Sequence, residues 1–101
     1  MEEPDSRKGE KMDTFTQLTN GEFHIVAVKD ELTGKFLQPT FGEDLDAIKR
    51  IFAYQINNNP IWKDNASDFS LYRIGLFHEK SGMIIPELDK LCSGNSVRKE
   101  N

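Results

Sequence analysis

The sequence offers few side chains from which a catalytic centre could be built. His24 lies within the first predicted strand and His78 at the end of the third, so two imidazoles could share a metal ion if those strands are neighbours. Asp30, Asp64 and Asp68 are the candidates for nuclease metal ligands. Neither set supplies an acid, a base and a nucleophile together, and no phosphate-binding glycine loop occurs. We therefore expect a protein that is not an enzyme and that uses no metal and no cofactor.

A second set of residues has the chemistry needed to bind nucleic acid. Aromatic side chains on a sheet stack on exposed bases, at about 1–3 kcal/mol per base, while basic side chains follow the phosphates. The candidate set is Trp62, Phe69, Tyr72 and Arg73, together with Lys29, Lys35, Lys49, Arg50, Lys63 and Lys80. The alternative is that the aromatic residues belong to the core or to a dimer interface and the lysines only keep the surface soluble. The residues alone leave both interpretations open.

Composition narrows the class of protein. A length of 101 residues suits one domain, and 13 basic against 17 acidic residues give a net charge of -4 without the strongly basic footprint of many nucleic-acid-binding proteins. Cys92 is the only cysteine, so one chain builds neither an internal disulfide nor a zinc site made of thiolates. No apolar run approaches the roughly 18 residues needed to span a bilayer, and the N-terminus lacks a signal peptide's apolar segment. We expect a soluble protein of a reducing, intracellular compartment.

The distribution of polar residues predicts one folded domain with two polar ends. Residues 1–20 are polar and charged, which predicts a mobile arm. Residues 21–88 contain most of the large apolar side chains and form the predicted single α+β domain. Residues 89–101 are small and polar, and they are predicted to form a tail.

Two similar segments predict two β-hairpins. The stretch "EFHIVAV" is rich in β-branched and aromatic residues and predicts a buried first strand, and "KFLQP" predicts a short second strand that Pro39 ends. The segment "ELTGKFLQP" is echoed by "EKSGMIIP", and each contains a glycine, Gly34 or Gly82, directly after a hydroxyl residue. We expect both glycines to adopt the left-handed conformation that closes a short hairpin loop. The similarity reflects either an internal duplication or the shared chemistry of turns.

An amphipathic helix is predicted between the hairpins. Apolar residues recur at helical spacing at Leu45, Ile48, Phe52 and Ile56. Thr40 and Glu43 have the spacing of a capping box, and "NNNP" ends the helix near Asn57. The predicted order is strand, strand, helix, strand, strand. This order favours an antiparallel sheet with the one amphipathic helix across one of its faces.

The third strand, "FSLYRIGLFH", is apolar on both faces, although one helix covers only one of them. A bulge at Gly75 would place Phe77 on the face of Tyr72 and Ile74. Arg73 would then be the only charge on the other face, with Phe69, Leu71 and Leu76. The hypothesis of DNA binding takes this second group as the uncovered face. A second copy, another protein or stacked bases could cover it.

The ordered segments between Phe23 and Ile84 resemble the small nonstructural protein of gokushoviruses, single-stranded-DNA phages of the family Microviridae. The segments are Phe23 to Asp30, "FLQP" (36–39), "AIKRIF" (47–52), "NNNP" (57–60) and "SDFSLYRIGLFHEKSGMI" (67–84). The chain departs from the family pattern where Ala66 and Ser67 replace Pro-Glu, Phe69 replaces Tyr and His78 replaces Asp. No role that needs an acid or a phenol is transferred to those positions.

The resemblance implies an accessory role in phage DNA replication, or in the switch from replication to packaging, within the host cytoplasm. Its implied partners are single-stranded DNA, or phage replication and capsid-assembly proteins. A domain with one helix leaves apolar sheet surface in water, so we also expect a homodimer. The alternative hypothesis is a dimeric protein-interaction adaptor without DNA affinity.

Overall fold

The computed structural model of the protein describes residues 21–100, and the predicted arm of residues 1–20 lies outside this range. The predicted α+β fold with an antiparallel sheet is confirmed. In chain order the elements are β1 (Glu22–Asp30), β2 (Lys35–Phe36), β3 (Thr40–Gly42), α1 (Leu45–Asn58), α2 (Pro60–Asp64), a 3-10 turn (Ala66–Asp68), β4 (Phe69–His78), β5 (Ile84–Ser93) and α3 (Gly94–Val97).

The sheet has β1 and β4 at its centre. Strand β4 pairs antiparallel with β1 on one side and with β5 on the other, while β2 and β3 both pair with the far side of β1. The predicted second strand is split because Pro39 has no backbone N–H to donate. The N–H of Leu37 still donates to the carbonyl oxygen of Val28 at 2.8 Å, and pairing resumes where Thr40 faces Val26. This edge of the sheet is therefore kinked at residues 38 and 39.

A bulge interrupts β4 at Ile74. Against β1, Arg73 pairs with Val26 and Gly75 pairs with Ile25, so Ile74 is the extra residue. The bulge was predicted one position later, at Gly75. A Cβ atom on Gly75 would come 2.7 Å from the carbonyl oxygen of Ile85, so the close approach of β5 requires glycine here.

Both predicted glycine turns are confirmed. Gly34 and Gly82 have φ angles of 78° and 75°, in the left-handed region that glycine adopts without strain. The N–H of Gly34 donates to the carbonyl oxygen of Asp30, and that of Gly82 donates to His78, each at 2.8 Å. The two loops therefore close in the same way.

Helix α1 packs its apolar side on the sheet. Its N-cap is Asp44, whose carboxylate accepts hydrogen bonds from the N–H groups of Asp46 and Ala47. The predicted capping box of Thr40 and Glu43 is wrong, because Thr40 lies in β3 and pairs with Val26 of β1. The buried core cluster is Val26, Leu45, Phe52, Ile56, Ala66 and Leu71.

The domain extends beyond residue 88, where the sequence predicts its end. Strand β5 continues to Ser93, and α3 follows at once, with Gly94 buried. The amide of Asn57 in α1 donates to the carbonyl oxygen of Val97 at 2.9 Å, and its oxygen accepts from the N–H of Lys99 at 2.7 Å. Polar composition misleads here because β5 is an edge strand with largely exposed residues.

Replacing Phe52 by Ala tests the packing of α1. Phe52 is 1% exposed in the core, so we expect a loss of about 3–5 kcal/mol in the free energy of unfolding. Its neighbour Ile51 is 59% exposed, and Ile51→Ala should cost less than about 1 kcal/mol. Urea denaturation measures both values. Equal losses in the two variants would show that α1 faces the sheet differently.

Candidate functional site

The two faces of the sheet differ in what covers them. Val26 and Leu71 belong to the core beneath α1. Ala27 and Tyr72 pair with each other and alternate with those residues, so their side chains point to the opposite face. The register places further aromatic residues on that opposite face. We call it the aromatic face and define it by Phe23, Phe36, Phe41, Tyr72 and Phe77.

The rings of the aromatic face form two clusters. Phe36 and Tyr72 lie edge to face, with centroids 5.4 Å apart. In the second cluster, Phe41 lies edge to face with Phe77 at 5.5 Å, and Phe23 is tilted against Phe77 at 6.3 Å. Edge-to-face contacts stabilise such pairs beyond the area that they bury. Phe36 and Phe41 nevertheless remain 41% and 55% exposed, so each presents ring surface to a ligand.

Lys29 places a positive charge at the first cluster. Its Nζ lies 5.6 Å from the ring centroid of Phe36 and 5.7 Å from that of Tyr72, within the range of cation–π attraction. It also lies 3.6 Å from the Oε1 atom of Glu31, and the Tyr72 hydroxyl donates to Oε2 at 3.4 Å. The hydrogen bond from Ser70, and then the charge of Lys29, lower the pKa of Glu31 despite some desolvation. The cluster thus holds one ammonium group and one carboxylate beside two rings.

Of the predicted DNA-binding residues, the structure brings Tyr72 and Lys29 together on the aromatic face. Lys35 alternates with Phe36 and points the other way. The remaining lysines and Arg50 lie elsewhere: Lys49 and Arg50 in α1, Lys63 in α2 and Lys80 in the loop before β5.

Arg73 was expected on the uncovered face, and the structure places it on the opposite one. It pairs with Val26, is 0% exposed, and its Nη2 donates to Glu87 at 2.8 Å and to Asp89 at 3.1 Å. Arg73 therefore does not present its guanidinium group to a phosphate backbone. Both carboxylates lie on β5. Asp89 belongs to the segment that was predicted to be a tail, so the sequence pattern did not indicate this pairing.

Trp62 and Phe69, predicted to stack on bases, are partly buried and lie outside the aromatic face. Their rings stack on each other with centroids 4.5 Å apart and planes inclined by 16°, and both pack against the core. These two side chains match the alternative interpretation of core residues. Sequence reasoning missed Phe23, Phe36 and Phe41 as members of the exposed site, because their position depends on the register of β1 with its neighbouring strands.

The two histidines occupy neighbouring strands without forming a pair. His24 faces Leu76, whereas His78 faces Glu22 and lies 3.3 Å from its carboxylate. His24 is 1% exposed, and burial, followed by the charge of Arg73, lowers its pKa to about 4 despite the opposing effect of Glu22. Across residues 21–100, no group of three or more His, Cys, Asp or Glu side chains is arranged to hold a metal ion. In the same range, no helix has the length and apolar character to cross a membrane.

Comparison with known proteins gives one family. The sequence profile of the family described as Phage ORF5 protein matches residues 23–97. This range includes all of the sheet except Glu22, the first residue of β1, and every residue of the aromatic face. Neither a curated protein nor a solved structure matches the chain.

The buried His24 predicts a fall in stability on acidification. Its pKa is about 4 in the folded protein and near the ordinary 6.5 when unfolded, so the unfolded chain binds more protons between these values. The free energy of unfolding should therefore decrease as the pH falls from about 6.5 to about 4. Urea denaturation at several pH values measures this, and His24→Gln should flatten the profile in that window. The same slope in both proteins would contradict the assignment to His24.

Proposed function

Because the chain belongs to the Phage ORF5 protein family, we propose that it is a non-enzymatic phage accessory protein that binds single-stranded DNA through the aromatic face. It acts in the host cytoplasm, in replication of the phage DNA or in the switch to packaging. The family match supports a phage accessory protein, and the resemblance to gokushovirus nonstructural proteins supports the more specific role.

The observation that carries DNA binding is the exposure of aromatic rings beside a lysine. Large exposed aromatic groups mark surfaces that contact a ligand or partner. Every nucleobase has a π-face that stacks on such rings, so recognition of this kind tolerates any sequence. Lys29 lies beside the rings of Phe36 and Tyr72, where it can neutralise a phosphate next to a stacked base.

The aromatic face carries local positive charge, although the net charge of the whole chain is -4. Tyr72 pairs with Ala27 on one side and with Lys90 on the other, and Lys90 is exposed. Lys29 approaches the Tyr72 ring from the β1 side, so lysines flank the ring on two strands. Glu31 offsets part of this charge at the first cluster. We therefore expect binding with only a few phosphate contacts.

Removing exposed rings tests the stacking. Phe36→Ala and Phe41→Ala should each weaken binding of a labelled single-stranded oligonucleotide by about 5- to 150-fold, which corresponds to about 1–3 kcal/mol per stacked base. Tyr54 in α1 is 67% exposed outside the aromatic face, so Tyr54→Ala is the matched control and should bind normally. Fluorescence anisotropy measures the affinities. Equal loss in all three variants would contradict stacking at this face.

The dependence of affinity on salt tests the charges separately. Lys29→Ala and Lys90→Ala should each reduce the log–log salt slope by about 0.7, the contribution of one phosphate contact to a single strand. Phe36→Ala should keep the slope, because stacking releases few ions. Lys35→Ala is the matched control, since Lys35 points away from the aromatic face. An unchanged slope in both lysine variants would show that neither lysine contacts phosphate.

The second candidate is a homodimeric adaptor that binds phage replication or capsid-assembly proteins without DNA affinity. One observation favours it: Ile84 faces Phe77 across the β4–β5 ladder and is 57% exposed, so an aliphatic side chain extends the aromatic face. Apolar surface of this kind suits a protein partner, including a second copy.

Sedimentation distinguishes the two candidates. A dimer that dissociates in Phe41→Asp, combined with no saturable oligonucleotide binding by the folded protein at low salt, would replace the DNA proposal by the adaptor. A monomer that binds oligonucleotide would exclude the adaptor.

A further inference from the structure

A cleft of about 320 Å³ lies between α1 and the kinked edge of the sheet. Its floor is apolar and includes Val26, Val28, Phe52 and Leu71. Ile48 and Ile51 of α1 form one wall. This volume lies at the lower end of the range of about 300–1,000 Å³ that small-molecule sites occupy.

The kink of the edge strand explains the opening. Pairing with β1 stops after Leu37 and resumes at Thr40, so residues 38 and 39 form an irregular segment, of which Gln38 lines the cleft. Phe41, just beyond the kink, is a member of the aromatic face and also lines the cleft. The two surfaces are therefore continuous around the edge of the sheet.

Two amide side chains line this apolar space. Gln38 and Gln55 approach it from opposite sides, one from the edge strand and one from α1, and both residues are exposed. Neither side-chain amide has a hydrogen bond to another side chain or to the backbone within residues 21–100. An amide offers a donor and an acceptor side by side, which matches the N6 and N7 atoms of adenine.

We propose that the cleft binds an adenine base of the single strand that lies on the aromatic face. The inference rests on the proposed function and adds base preference to it. The planar ring enters between the apolar floor and the wall of α1, while a glutamine amide pairs with its polar edge. A base of a single strand has no complementary partner to lose, so little unpairing opposes its insertion. Phe41 connects the stacked bases to the inserted one.

Deoxyadenosine monophosphate tests the cleft independently of strand binding. In the full chain, its addition should give saturable shifts in the methyl signals of Ile48 and Val28, because both residues line the cleft. The methyl signals of Ile61, which is 70% exposed in α2, should not move. Thymidine monophosphate is the matched ligand control and should give no saturable shift. Absent shifts with the adenine nucleotide, or equal shifts with both, would overturn the inference.

Glutamine variants test the base preference. In the wild-type chain, an oligonucleotide with one adenine among thymines should bind tighter than oligothymidine, and Gln38→Leu or Gln55→Leu should reduce this preference about tenfold. Asn95→Leu, an exposed amide in α3, should keep the preference. Circular dichroism confirms that each variant is folded.

The two proposals fail in different ways. Tight oligonucleotide binding with an unchanged preference in both glutamine variants would overturn the adenine site and leave the aromatic-face proposal standing. No oligonucleotide binding, combined with methyl shifts specific for the adenine nucleotide, would overturn the proposal that the aromatic face binds single-stranded DNA and would support an adenine site. No response to either ligand would overturn both and leave the cleft to an apolar side chain of a protein partner.

Discussion

A single extra residue in β4 decides which side chains share a face of the sheet. In a regular strand, Tyr72 and Phe77 would point to opposite sides, because alternate residues alternate in direction. The bulge at Ile74 shifts the register against β1, so both rings point away from α1. The shift thereby puts the cluster of Phe36 and Tyr72 and the cluster of Phe41 and Phe77 on one face of the sheet. Gly75 permits it by allowing β5 to approach closely.

Regular alternation with Leu71 places Arg73 on the side of the sheet that faces the core, where its charge requires partners. Burial of an unpaired guanidinium group is highly unfavourable, so carboxylates must come within hydrogen-bonding distance. Glu87 and Asp89 meet this requirement from β5. Because both acids lie on β5 and bind a buried guanidinium group, they help to hold β5 on the sheet. The ion pairs thus give the edge strand a structural role despite its exposure.

Local features of the fold were predictable from the sequence, and features that depend on distant contacts were not. The turns at Gly34 and Gly82 follow from residues beside them, and α1 follows from the spacing of Leu45, Phe52 and Ile56. The position of Arg73 depends instead on register and on carboxylates in a segment that looks like a tail. The candidate site shows the same division. Tyr72 and Lys29 were named from composition, whereas Phe36 and Phe41 join them only through cross-strand pairing.

Proline on both sides of the sheet limits how copies of the chain can add to one another. In the described range, Pro39 lies at the kinked edge beside β1, and Pro86 lies in β5, the opposite edge. Neither residue supplies a backbone N–H, and Glu87 and Asp89 add charge beside Pro86. Fibril growth needs an uninterrupted row of free donors and acceptors along an outer strand. Proline and charge at the two edges therefore reduce the tendency of this sheet to add further strands, although one of its faces carries many apolar rings.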